Sequence, residues 1–587
     1  MSRPQILLRE ALKVTSTPRG VNIAGPSRLA IASPSRSNAS TYPIHHGHRH
    51  YATSVSSNSS SSTSSSTSTI IQKPQPHQHP AFESLSQELS STQPCFGARG
   101  DEIELLTSPQ MFYGRLIEMI KRAKRRVLIS SLYIGTEEGE LVESIRQALT
   151  NNPQLRTVFM LDYHRSTRLS RNSSSSVPPS TAHLLLPLVE AFPDRCEVWL
   201  YRSPKLRGLL EKIVPERYDE GWGTWHGKWY GVDDEVLISG ANLASSYFTN
   251  RQDRYIHFKS NPSLLSYLSS LTRLFIQYSY LLHHSPPAHI SPTYTVPLPN
   301  PSSSPSSSGG TSRASLIWPS ASIHPRRFST HALATLTAFQ NSWRSSNANR
   351  SRRVDIDTWF WPVIQSGVLG LKEEEKNLVK VWNAIKKSYE SDEEGSKVRV
   401  DLTSGYFGLY KEYKRLVLDS PASTQIIAAS PKANGFYGSK GFSRLIPEGY
   451  TLLESRFHRE AVRRGRAWDE EKGSGVRLRE WEKEGWTYHS KGIWLSPSSS
   501  STASSTSNPF LTFIGSSNLS TRSLTLDTEL SLIMMTSSPT LRKSLGQEVK
   551  TINKDSKDVG EDTWNSEDRK VSWLAWVLVA LGVEGML

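Results

Sequence analysis

The order of hydrophobic and polar positions predicts alternating helices and strands in the first part of the chain. Apolar residues follow helical spacing at residues 108–124 and 137–149, and they form short, nearly unbroken runs at residues 126–135 and 157–162. The first two stretches are therefore predicted as helices and the last two as buried strands. Helices that alternate with short apolar strands are typical of an α/β layer fold.

The same alternation returns in the second part of the chain, after a stretch rich in Pro and Ser at residues 284–312. It predicts a strand at 398–405, a helix at 409–417 and another strand at 424–430. We therefore predict two α/β domains in tandem. Their boundaries are predicted at 94–283 and 313–550, with 284–312 as the linker between them.

Residues 1–93 are predicted to lie outside the folded part of the chain. Residues 1–82 carry eight Lys or Arg and one acid, Glu10, and residues 53–69 are almost entirely Ser and Thr. A segment that is rich in Arg and Ser and poor in acids is typical of a mitochondrial transit peptide. An ordinary disordered tail is the alternative, and in both cases folding is expected to begin near Pro94.

The charge balance favours polyanionic partners. The 69 Lys and Arg outnumber the 54 Asp and Glu, which gives a net charge of +15. Nucleic acid, anionic lipid and phosphorylated substrates all fit this charge, which alone does not choose among them.

The 16 Trp, 21 Tyr and 17 Phe exclude wholesale disorder. The two cysteines, Cys95 and Cys196, are too few for a disulfide framework or a cysteine-based zinc site.

The predicted C-terminal tail, residues 551–587, contains an apolar stretch at 571–583 with Trp573 and Trp576. No run of 18 apolar residues occurs in the chain, so no helix is expected to span a bilayer. The apolar stretch is long enough to dock on the core or to lie in a membrane interface, and the sequence leaves both open.

A polar signature occurs twice along the chain. His226 and Lys228 stand two residues apart in the first part, and His489 and Lys491 have the same spacing in the second. Each pair lies in a predicted hairpin, where residues i and i+2 of a strand face the same side. A Gly and an Asn follow each hairpin, and an acid comes eleven residues after the Asn: Asp253 after Asn242, and Glu529 after Asn518. This recurrence predicts a duplicated half-site.

Imidazole and ammonium groups in this pattern suit phosphoryl transfer. A neutral imidazole can attack phosphorus while a second, protonated imidazole donates to the departing oxygen. The lysines and the Asn amides would hold phosphoryl oxygens. Asp253 and Glu529 are predicted to orient the rings through the other ring nitrogen. The scheme needs neither a metal nor a cofactor, and the chain contains no His-Glu-x-x-His motif.

The first copy, His226-x-Lys228-x4-Asp233 followed by Gly240, resembles the H-x-K-x4-D signature of the phospholipase D superfamily. Members of that superfamily place two such motifs on a pseudo-twofold axis. The resemblance therefore implies two tandem phospholipase D-like α/β/α sandwich domains that form one active site. The catalytic residues that it implies are His226, Lys228, Asp233, His489 and Lys491.

The second copy departs from the signature. Ser496 stands where the Asp is expected, and residues 496–508 lengthen the turn. Because the motif Asp is chiefly supportive in the superfamily, the departure affects the expected local geometry more than the roles of the His and Lys residues.

Longer stretches are similar to the eukaryotic mitochondrial phosphatidylglycerophosphate synthase family. The similarity spans about residues 94–550 and is carried by residues 203–220, 240–255, 401–413, 429–441 and 488–495. This family transfers a phosphatidyl group from CDP-diacylglycerol to sn-glycerol 3-phosphate and releases CMP, on the route to phosphatidylglycerol and cardiolipin.

The resemblance implies those two substrates, no cofactor, no nucleic acid, and peripheral contact with the anionic mitochondrial inner membrane. His226 is the expected nucleophile and His489 the expected acid and base, although the sequence does not decide between the two rings. Two alternatives stay open: a phospholipase D-like hydrolase or another phosphatidyltransferase of the superfamily, and an inactive scaffold that binds lipid or nucleic acid.

An acceptor that must outcompete water is expected to need an extra cationic pocket. The substrate-binding candidates are Arg251, Arg254, Ser516, Lys205 and Arg207, with Arg165, Arg168 and Arg171 as further cations. A loop with Asn434, Gly435 and Lys440 could approach a phosphate or a nucleotide, with a plain turn as the alternative.

Two further stretches concern ATP and lipid. Residues 131–138 lack the G-x4-G-K-[ST] pattern and are predicted to connect a strand to a helix, so ATP has no expected role. Arg463, Arg464 and Arg466 could meet anionic headgroups, or lie in solvent at the end of a helix.

Overall fold

The computed structural model describes residues 80–170, 177–206, 219, 221–284, 294–299, 314–347, 355–391, 396–498 and 508–580. The predicted transit peptide up to residue 79, together with Arg171 and Arg207, lies outside these ranges.

The strands of the first half and the connection that follows it are, in chain order, β1 (Phe96–Ala98), β2 (Ile103–Leu106), β3 (Arg126–Ser130), β4 (Arg156–Asp162), β5 (Cys196–Tyr201), β6 (Trp229–Val232), β7 (Glu235–Ser239), β8 (Arg251–Gln252), β9 (Tyr255–Phe258), β10 (Ser279–His283), β11 (Thr295–Pro297) and β12 (Ser315–Ile317). Those of the second half are β13 (Thr358–Ser366), β14 (Leu371–Lys372), β15 (Val398–Ser404), β16 (Thr424–Ala429), β17 (Val476–Trp481), β18 (Thr487–Tyr488), β19 (Lys491–Pro497), β20 (Leu511–Gly515), β21 (Thr528–Thr536) and β22 (Ser556–Asp558).

The helices are α1 (Pro80–Thr92), α2 (Pro109–Lys121), α3 (Gly139–Asn151), α4 (Tyr163–Thr167), α5 (Thr181–Ala191), α6 (Ser245–Thr249), α7 (Pro262–Ile276), α8 (Ser329–Asn347), α9 (Glu373–Glu390), α10 (Lys411–Asp419), α11 (Leu445–Arg463), α12 (Thr521–Thr525), α13 (Pro539–Lys554), α14 (Glu561–Trp564) and α15 (Trp573–Ala580). Short 3-10 turns lie at Gly100–Glu102, Gly367–Leu369, Gly441–Arg444 and Glu567–Arg569.

Two large sheets share one topology. The first has the order β11-β12-β10-β5-β4-β3-β6-β7-β9-β2, and the second has the order β1-β13-β21-β20-β19-β15-β16-β17-β22, with β14 on β13. The series β10-β5-β4-β3-β6-β7-β9-β2 recurs as β22-β17-β16-β15-β19-β20-β21-β13, with three parallel strands in each series and antiparallel neighbours on both sides. This repetition confirms the predicted α/β fold with two halves in tandem.

The predicted elements are observed close to their expected limits. The helix predicted at 108–124 is α2, where the Ser108 side chain accepts from the Met111 N–H and Pro109 occupies the first turn. The strand predicted at 126–135 is β3, which ends earlier, at Ser130, and residues 131–138 connect it to α3. In the second half, the three predictions correspond to β15, α10 and β16.

Strand β13 separates two apolar cores. Phe360 and Ile364 face the core of the first half, while Trp361 and Val363 face a second core with α1 and α9. The alternation follows from the two-residue repeat of a strand, and all nine residues of β13 are buried. The two halves therefore pack on each other through an apolar interface.

The predicted domain limits are wrong at four places. Helix α1 belongs to the folded part, since Phe82, Leu85 and Leu89 are buried in the second core, so the disordered leader does not extend to 93. Their spacing of three and four residues was the signal for this helix. Strand β1, within the predicted first domain, pairs with β13 of the second sheet.

The other two errors concern the linker and the tail. Strands β11 and β12 pair with each other and extend the first sheet, so neither 284 nor 313 is a domain boundary. Helix α13 and strand β22 carry the second half beyond residue 550, because β22 pairs with β17.

The apolar C-terminal stretch forms α15, which packs on α11. Ala575 and Val579 are buried there, whereas Trp573 is 77% exposed and Trp576 is 53% exposed. Among the helices that the structure describes, none has the length and apolar content to cross a bilayer.

Candidate active site

The first His-Lys pair lies on the segment that leads into β6. The His226 N–H donates to Thr528 O at 2.9 Å, so strand β21 of the second half holds the start of this motif. Lys228 Nζ donates to His226 O at 2.8 Å. Both side chains are buried.

The second pair is held by the first half in the same way. The His489 N–H donates to Gln252 O at 2.8 Å, next to a short parallel pairing of β18 with β8. Lys491 Nζ lies 2.7 Å from His489 Nδ1 and 3.8 Å from Asp253 Oδ2. Each motif is thus positioned by backbone from the opposite half.

The carboxylates of the two halves are exchanged between the rings. His226 Nδ1 lies 2.8 and 2.9 Å from the two Glu529 oxygens, and His489 Nδ1 lies 2.6 Å from Asp253 Oδ2. The ring-orienting hydrogen bonds predicted for Asp253 and Glu529 are therefore present in the structure, and each bond crosses between the halves.

The two motifs form one site. Burial lowers the pKa of His489, and Lys228 of the other motif lowers it further; burial also lowers the pKa of Lys228, and Lys491 of the other motif adds to that effect. All four groups are buried, so water screens these interactions little.

Burial decides the protonation of the rings and lysines. It lowers the pKa of His226 although Glu529 opposes this, and burial together with Lys491 lowers the pKa of His489 well below its usual range. Both rings are therefore neutral at neutral pH before substrate binds. Burial also lowers the pKa of Lys228 to about 7 and that of Lys491 to about 8.

The two carboxylates differ in charge. Burial raises the pKa of Glu529, but His226 and Lys228 lower it by more, to about 2. Burial raises the pKa of Asp253, and Lys491 only partly opposes that rise. Glu529 is thus the more firmly ionised of the two.

Ser516 and Gly240 occupy matching places beside the carboxylates. The Ser516 hydroxyl donates to Glu529 and accepts from the Leu530 N–H at 3.2 Å, so it holds the carboxylate, a different role from the predicted substrate contact. A Cβ on Gly240 would lie 2.6 Å from Asp253 Oδ1 and 2.9 Å from Lys491 Nζ, which explains the glycine.

No described hydrogen bond joins Asn242 or Asn518 to the histidines. Asn242 Nδ2 donates to the Tyr247 hydroxyl at 3.0 Å, and the Asn518 N–H donates to Ser523 Oγ at 3.1 Å. Both Oδ1 atoms are buried without a hydrogen-bond partner among the described residues. The structure places both amides in the loops that lead from the motif hairpins to the carboxylates.

Asp233 does not lie in the site, which corrects its predicted catalytic role. It forms the turn between β6 and β7, with φ of 52°, and its carboxylate accepts from the N–H groups of Lys124, Arg125 and Arg126 at 2.9, 2.8 and 3.2 Å. The turn is at the opposite end of β6 from Lys228. Ser496 of the second copy lies on β19 opposite Arg399, five residues along the chain from Lys491, so it is also removed from the His-Lys pair.

Arg254 and Lys205 are also placed differently from the prediction. Arg254 is buried, pairs with Glu548 at 2.9 Å, donates to Phe513 O at 2.9 Å and stacks on Trp494 at 3.8 Å. It joins the halves and is not available to substrate. Lys205 is exposed on the loop after β5, and no described contact links its side chain to the site.

The pattern analysis missed groups that surround the motifs. The Asp527 carboxylate accepts from Thr224 N and Oγ1, both at 2.9 Å, and from Arg522 Nε at 2.9 Å, which fixes the segment before His226. Thr224 and Asp527 are 303 residues apart, so no sequence spacing connects them.

Tyrosine rings surround the second histidine. Tyr247 and Tyr406 pack edge-on to His489 with ring centroids 5.2 and 5.4 Å away. Arg251, a predicted substrate-binding residue, stacks on Tyr247 at 4.2 Å and is therefore close to the site.

One cluster has the spacing of a metal site. His226, Asp527 and Glu529 each place a ligand atom within 4.8 Å of the others. These ligands are already engaged with one another, with the Ser516 hydroxyl and with Arg522. The Lys228 ammonium lies close enough for both carboxylates to act on its pKa. The donor set therefore suits proton transfer and anion binding better than a cation.

Comparisons with known proteins identify relatives that share one name. The chain is 33% identical to a CDP-diacylglycerol–glycerol-3-phosphate 3-phosphatidyltransferase of Schizosaccharomyces pombe over 493 residues, which are 81% of this chain and 93% of that protein. It is 34% identical to the protein of that name from Saccharomyces cerevisiae, over 83% of this chain and 88% of the relative. A mitochondrial form from Gallus gallus is 32% identical, over 82% of this chain and 83% of the relative.

A solved structure supports the fold. Phosphatidylserine synthase of Haemophilus influenzae superposes with a TM-score of 0.58 at 17% identity, over 86% of this chain and 99% of that one. No family model matches the chain.

Proposed function

The chain belongs to the family of CDP-diacylglycerol–glycerol-3-phosphate 3-phosphatidyltransferases, and we propose that it moves a phosphatidyl group from CDP-diacylglycerol to sn-glycerol 3-phosphate through a phosphohistidine. The observation that carries the proposal is the pair of buried His-Lys motifs, each ring held by a carboxylate of the opposite half. The enzyme is a transferase of phospholipid biosynthesis.

In the first step, His226 Nε2 attacks the lipid-side phosphorus of CDP-diacylglycerol. A P–N bond forms and the P–O bond to CMP breaks, while His489 gives a proton to the departing oxygen. The products are phosphatidyl-His226, CMP and a neutral His489.

In the second step, His489 takes the proton of a glycerol 3-phosphate hydroxyl, and the hydroxyl oxygen attacks the same phosphorus. The P–N bond breaks and phosphatidylglycerophosphate leaves. His226 is again a neutral ring, and His489 again carries one proton, as it did when it began the first step.

The surroundings of the rings support these roles. Glu529 is ionised and holds the Nδ1–H of His226, which leaves Nε2 with a lone pair for phosphorus. Arg251 lies on the side of His489, where the departing CMP would bind. A bound diphosphate also raises the pKa of His489, so that the ring can carry the proton.

The lysines bind the phosphoryl oxygens. Lys228 and Lys491 are buried with a reduced pKa, so an anionic substrate favours their charged forms. Fixed ammonium groups at a dry site stabilise the charge that develops on the phosphoryl oxygens in the transition state.

Trapping of the adduct tests the proposed function. Protein incubated with CDP-diacylglycerol labelled at the lipid-side phosphorus, without glycerol phosphate, is expected to yield an acid-labile, base-stable label on the peptide that contains His226. Addition of glycerol phosphate is expected to discharge the label into phosphatidylglycerophosphate, with or without EDTA.

Each arm of this experiment can contradict the proposal. Label on the His489 peptide would reverse the two roles, and phosphatidic acid without phosphatidylglycerophosphate would show a hydrolase. Loss of turnover in EDTA with recovery in Mg²⁺ would show that metal chemistry carries the reaction.

We further propose peripheral contact with the anionic mitochondrial inner membrane. Relatives from Gallus gallus and Mus musculus are named as mitochondrial, and the proposed donor is a lipid. On α15, Trp573 and Trp576 are exposed, and Arg456 lies 5.9 Å from the Trp576 ring. Indole rings beside arginine suit the interface of an anionic bilayer.

A second exposed group adjoins this helix. Tyr437 is 60% exposed, and it lines a cavity of about 200 Å³ together with Arg444 and Lys570. The Ser572 N–H, just before α15, donates to Glu448 at 2.8 Å, and Glu448 also lines this cavity, so the cavity adjoins the start of α15.

Removal of both tryptophans is expected to weaken membrane binding. The double variant Trp573→Ser/Trp576→Ser should bind phosphatidylcholine vesicles that contain cardiolipin about tenfold more weakly, which corresponds to about 1.4 kcal/mol of lost apolar insertion. Vesicle co-sedimentation measures the change. Met111→Ser removes an exposed apolar side chain on α2 and is the control. Equal binding by both variants would contradict the proposed surface.

A further inference from the structure

A group of arginines and tyrosines lies on the His489 side of the site. We call it the arginine–tyrosine pocket, and it consists of Tyr133, Arg165, Tyr247, Arg251 and Tyr406. The first four residues come from the first half and Tyr406 from the second, so the pocket lies at the junction of the halves. The catalytic scheme above assigns no role to four of these five residues.

Arg251 is the central cation of the pocket. Its guanidinium stacks on Tyr247 at 4.2 Å, and its Nε donates to Thr487 Oγ1 at 3.0 Å. In the part of the chain that the structure describes, no carboxylate forms an ion pair with it. Arg254, by contrast, is paired with Glu548 at 2.9 Å. A largely buried guanidinium without a counter-ion is stabilised by an anion that binds beside it.

Arg165 adds a second cation. It stacks on the Tyr133 ring at 4.4 Å. Burial raises the pKa of Tyr406, Tyr133 adds to that rise, and the charges of Arg251 and Arg165 oppose it, so these groups lie near the Tyr406 hydroxyl.

Gly435 forms one wall of the arginine–tyrosine pocket. A Cβ there would lie 3.0 Å from the Tyr406 hydroxyl and 3.2 Å from Arg251 Nη2. A larger side chain would therefore crowd the two groups that an anion would contact. Gly435 lies in the loop for which the sequence suggested an approach to phosphate, with a plain turn as the alternative.

The geometry of the displacement at phosphorus places the acceptor in the arginine–tyrosine pocket. In a double displacement at one phosphorus, the leaving group and the incoming hydroxyl both lie opposite the nucleophile. With His226 as nucleophile, that is the side of His489, where Tyr247 and Tyr406 pack on the ring.

We propose that the arginine–tyrosine pocket binds the phosphate monoester of the acceptor and so selects sn-glycerol 3-phosphate over water and over unphosphorylated alcohols. Two guanidinium groups match a phosphate dianion, and the tyrosine hydroxyls can donate to its remaining oxygens. CMP, which is also a phosphate monoester, competes for the same cations. This inference rests on the proposed transferase function.

The test measures the choice between glycerol 3-phosphate and glycerol as acceptors. In Arg251→Gln, the ratio of kcat/KM for glycerol 3-phosphate to that for glycerol is expected to fall about 10- to 100-fold, since charge-assisted hydrogen bonds to the phosphate are lost. The KM for glycerol 3-phosphate should rise, while the KM for CDP-diacylglycerol changes less than threefold. Arg251→Lys should restore part of the ratio.

The matched control is Arg146→Gln, which removes an exposed arginine of α3 that pairs with Glu143. It should leave the ratio unchanged. Arg165→Gln gives a second measurement from another helix, and it decides the question if Arg251→Gln does not fold.

Two results would overturn the inference. One is an unchanged acceptor ratio in both folded arginine variants. The other is a raised KM for CDP-diacylglycerol and a weaker inhibition by CMP with no change in the acceptor ratio, which would make the pocket a site for the donor nucleotide. If the unaltered protein forms no phosphatidylglycerophosphate at all, it is the transferase proposal that fails.

Discussion

Replacement of His226 by alanine is expected to lower kcat for phosphatidylglycerophosphate formation about 10⁴-fold or more. The variant lacks the atom that bonds to phosphorus, and removal of a nucleophile that works with an acid–base partner abolishes nearly the whole chemical contribution. Thin-layer separation of labelled products measures it, and label should no longer accumulate on the protein.

Two further variants are compared with His226→Ala. His489→Ala should lose about 10²- to 10⁴-fold, because proton transfer in both steps is affected while the nucleophile remains. His331→Ala removes an exposed histidine whose Nδ1 lies 2.7 Å from the Tyr278 hydroxyl, and it should retain full activity. Activity of folded His226→Ala within tenfold of the unaltered enzyme would contradict the nucleophile assignment.

Replacement of Glu529 by glutamine is expected to lower kcat about 10²- to 10⁴-fold with little change in KM. The amide keeps the shape of the carboxylate but no longer fixes the Nδ1–H tautomer of His226 or stabilises its positive charge. The measurement is a full kinetic comparison at saturating glycerol 3-phosphate.

Glu374→Gln is the matched control for this variant. Glu374 is buried and accepts from Ser517 Oγ at 2.8 Å, but no described hydrogen bond joins it to a histidine. Burial raises its pKa to about 8, so it is already largely protonated at pH 7 and an amide resembles it. Its activity should stay within threefold. An equal loss in both variants would show a packing effect in place of ring orientation.

The reduced pKa of Glu529 also sets a pH dependence of stability. The value falls from 4.5 to about 2 on folding, so the native state binds the proton less tightly than the unfolded state does. The stabilisation is fully present above about pH 4.5 and is lost as the pH falls towards 2. In Glu529→Gln, urea unfolding between pH 5 and pH 3 should lose this part of the acid dependence.

The sequence predicted the elements well because helical and strand periods are local properties. The stretches that became α2, β4, β15 and β16 were recognisable from apolar spacing alone. The missed helix α1 carries only three core residues among many Ser, so composition concealed its period.

The site was predictable only where spacing repeats. The recurrence of His226-x-Lys228 and the acid eleven residues after each Asn identified both rings and both carboxylates. Spacing could not show that each carboxylate serves the other half's ring, because that exchange depends on how the halves pack.

The wrong assignments have the same cause. Asp233 matches the family signature, yet it stabilises a turn through the N–H groups of 124–126. Arg254 is near the motif in sequence, but its contacts with Glu548 and Trp494 join the halves. The residue type and the local sequence do not reveal either position, because each depends on contacts with distant parts of the chain.

The exchange of carboxylates between the halves has an evolutionary consequence. A polypeptide with only one half would have a histidine without its acid, and it could complete both rings only by associating with an identical copy around a twofold axis. Gene duplication and fusion would turn such a dimer into a single chain without altering any of these hydrogen bonds. From then on the two sides could diverge, one keeping the bond-forming imidazole and the other adapting to the molecules that enter and leave.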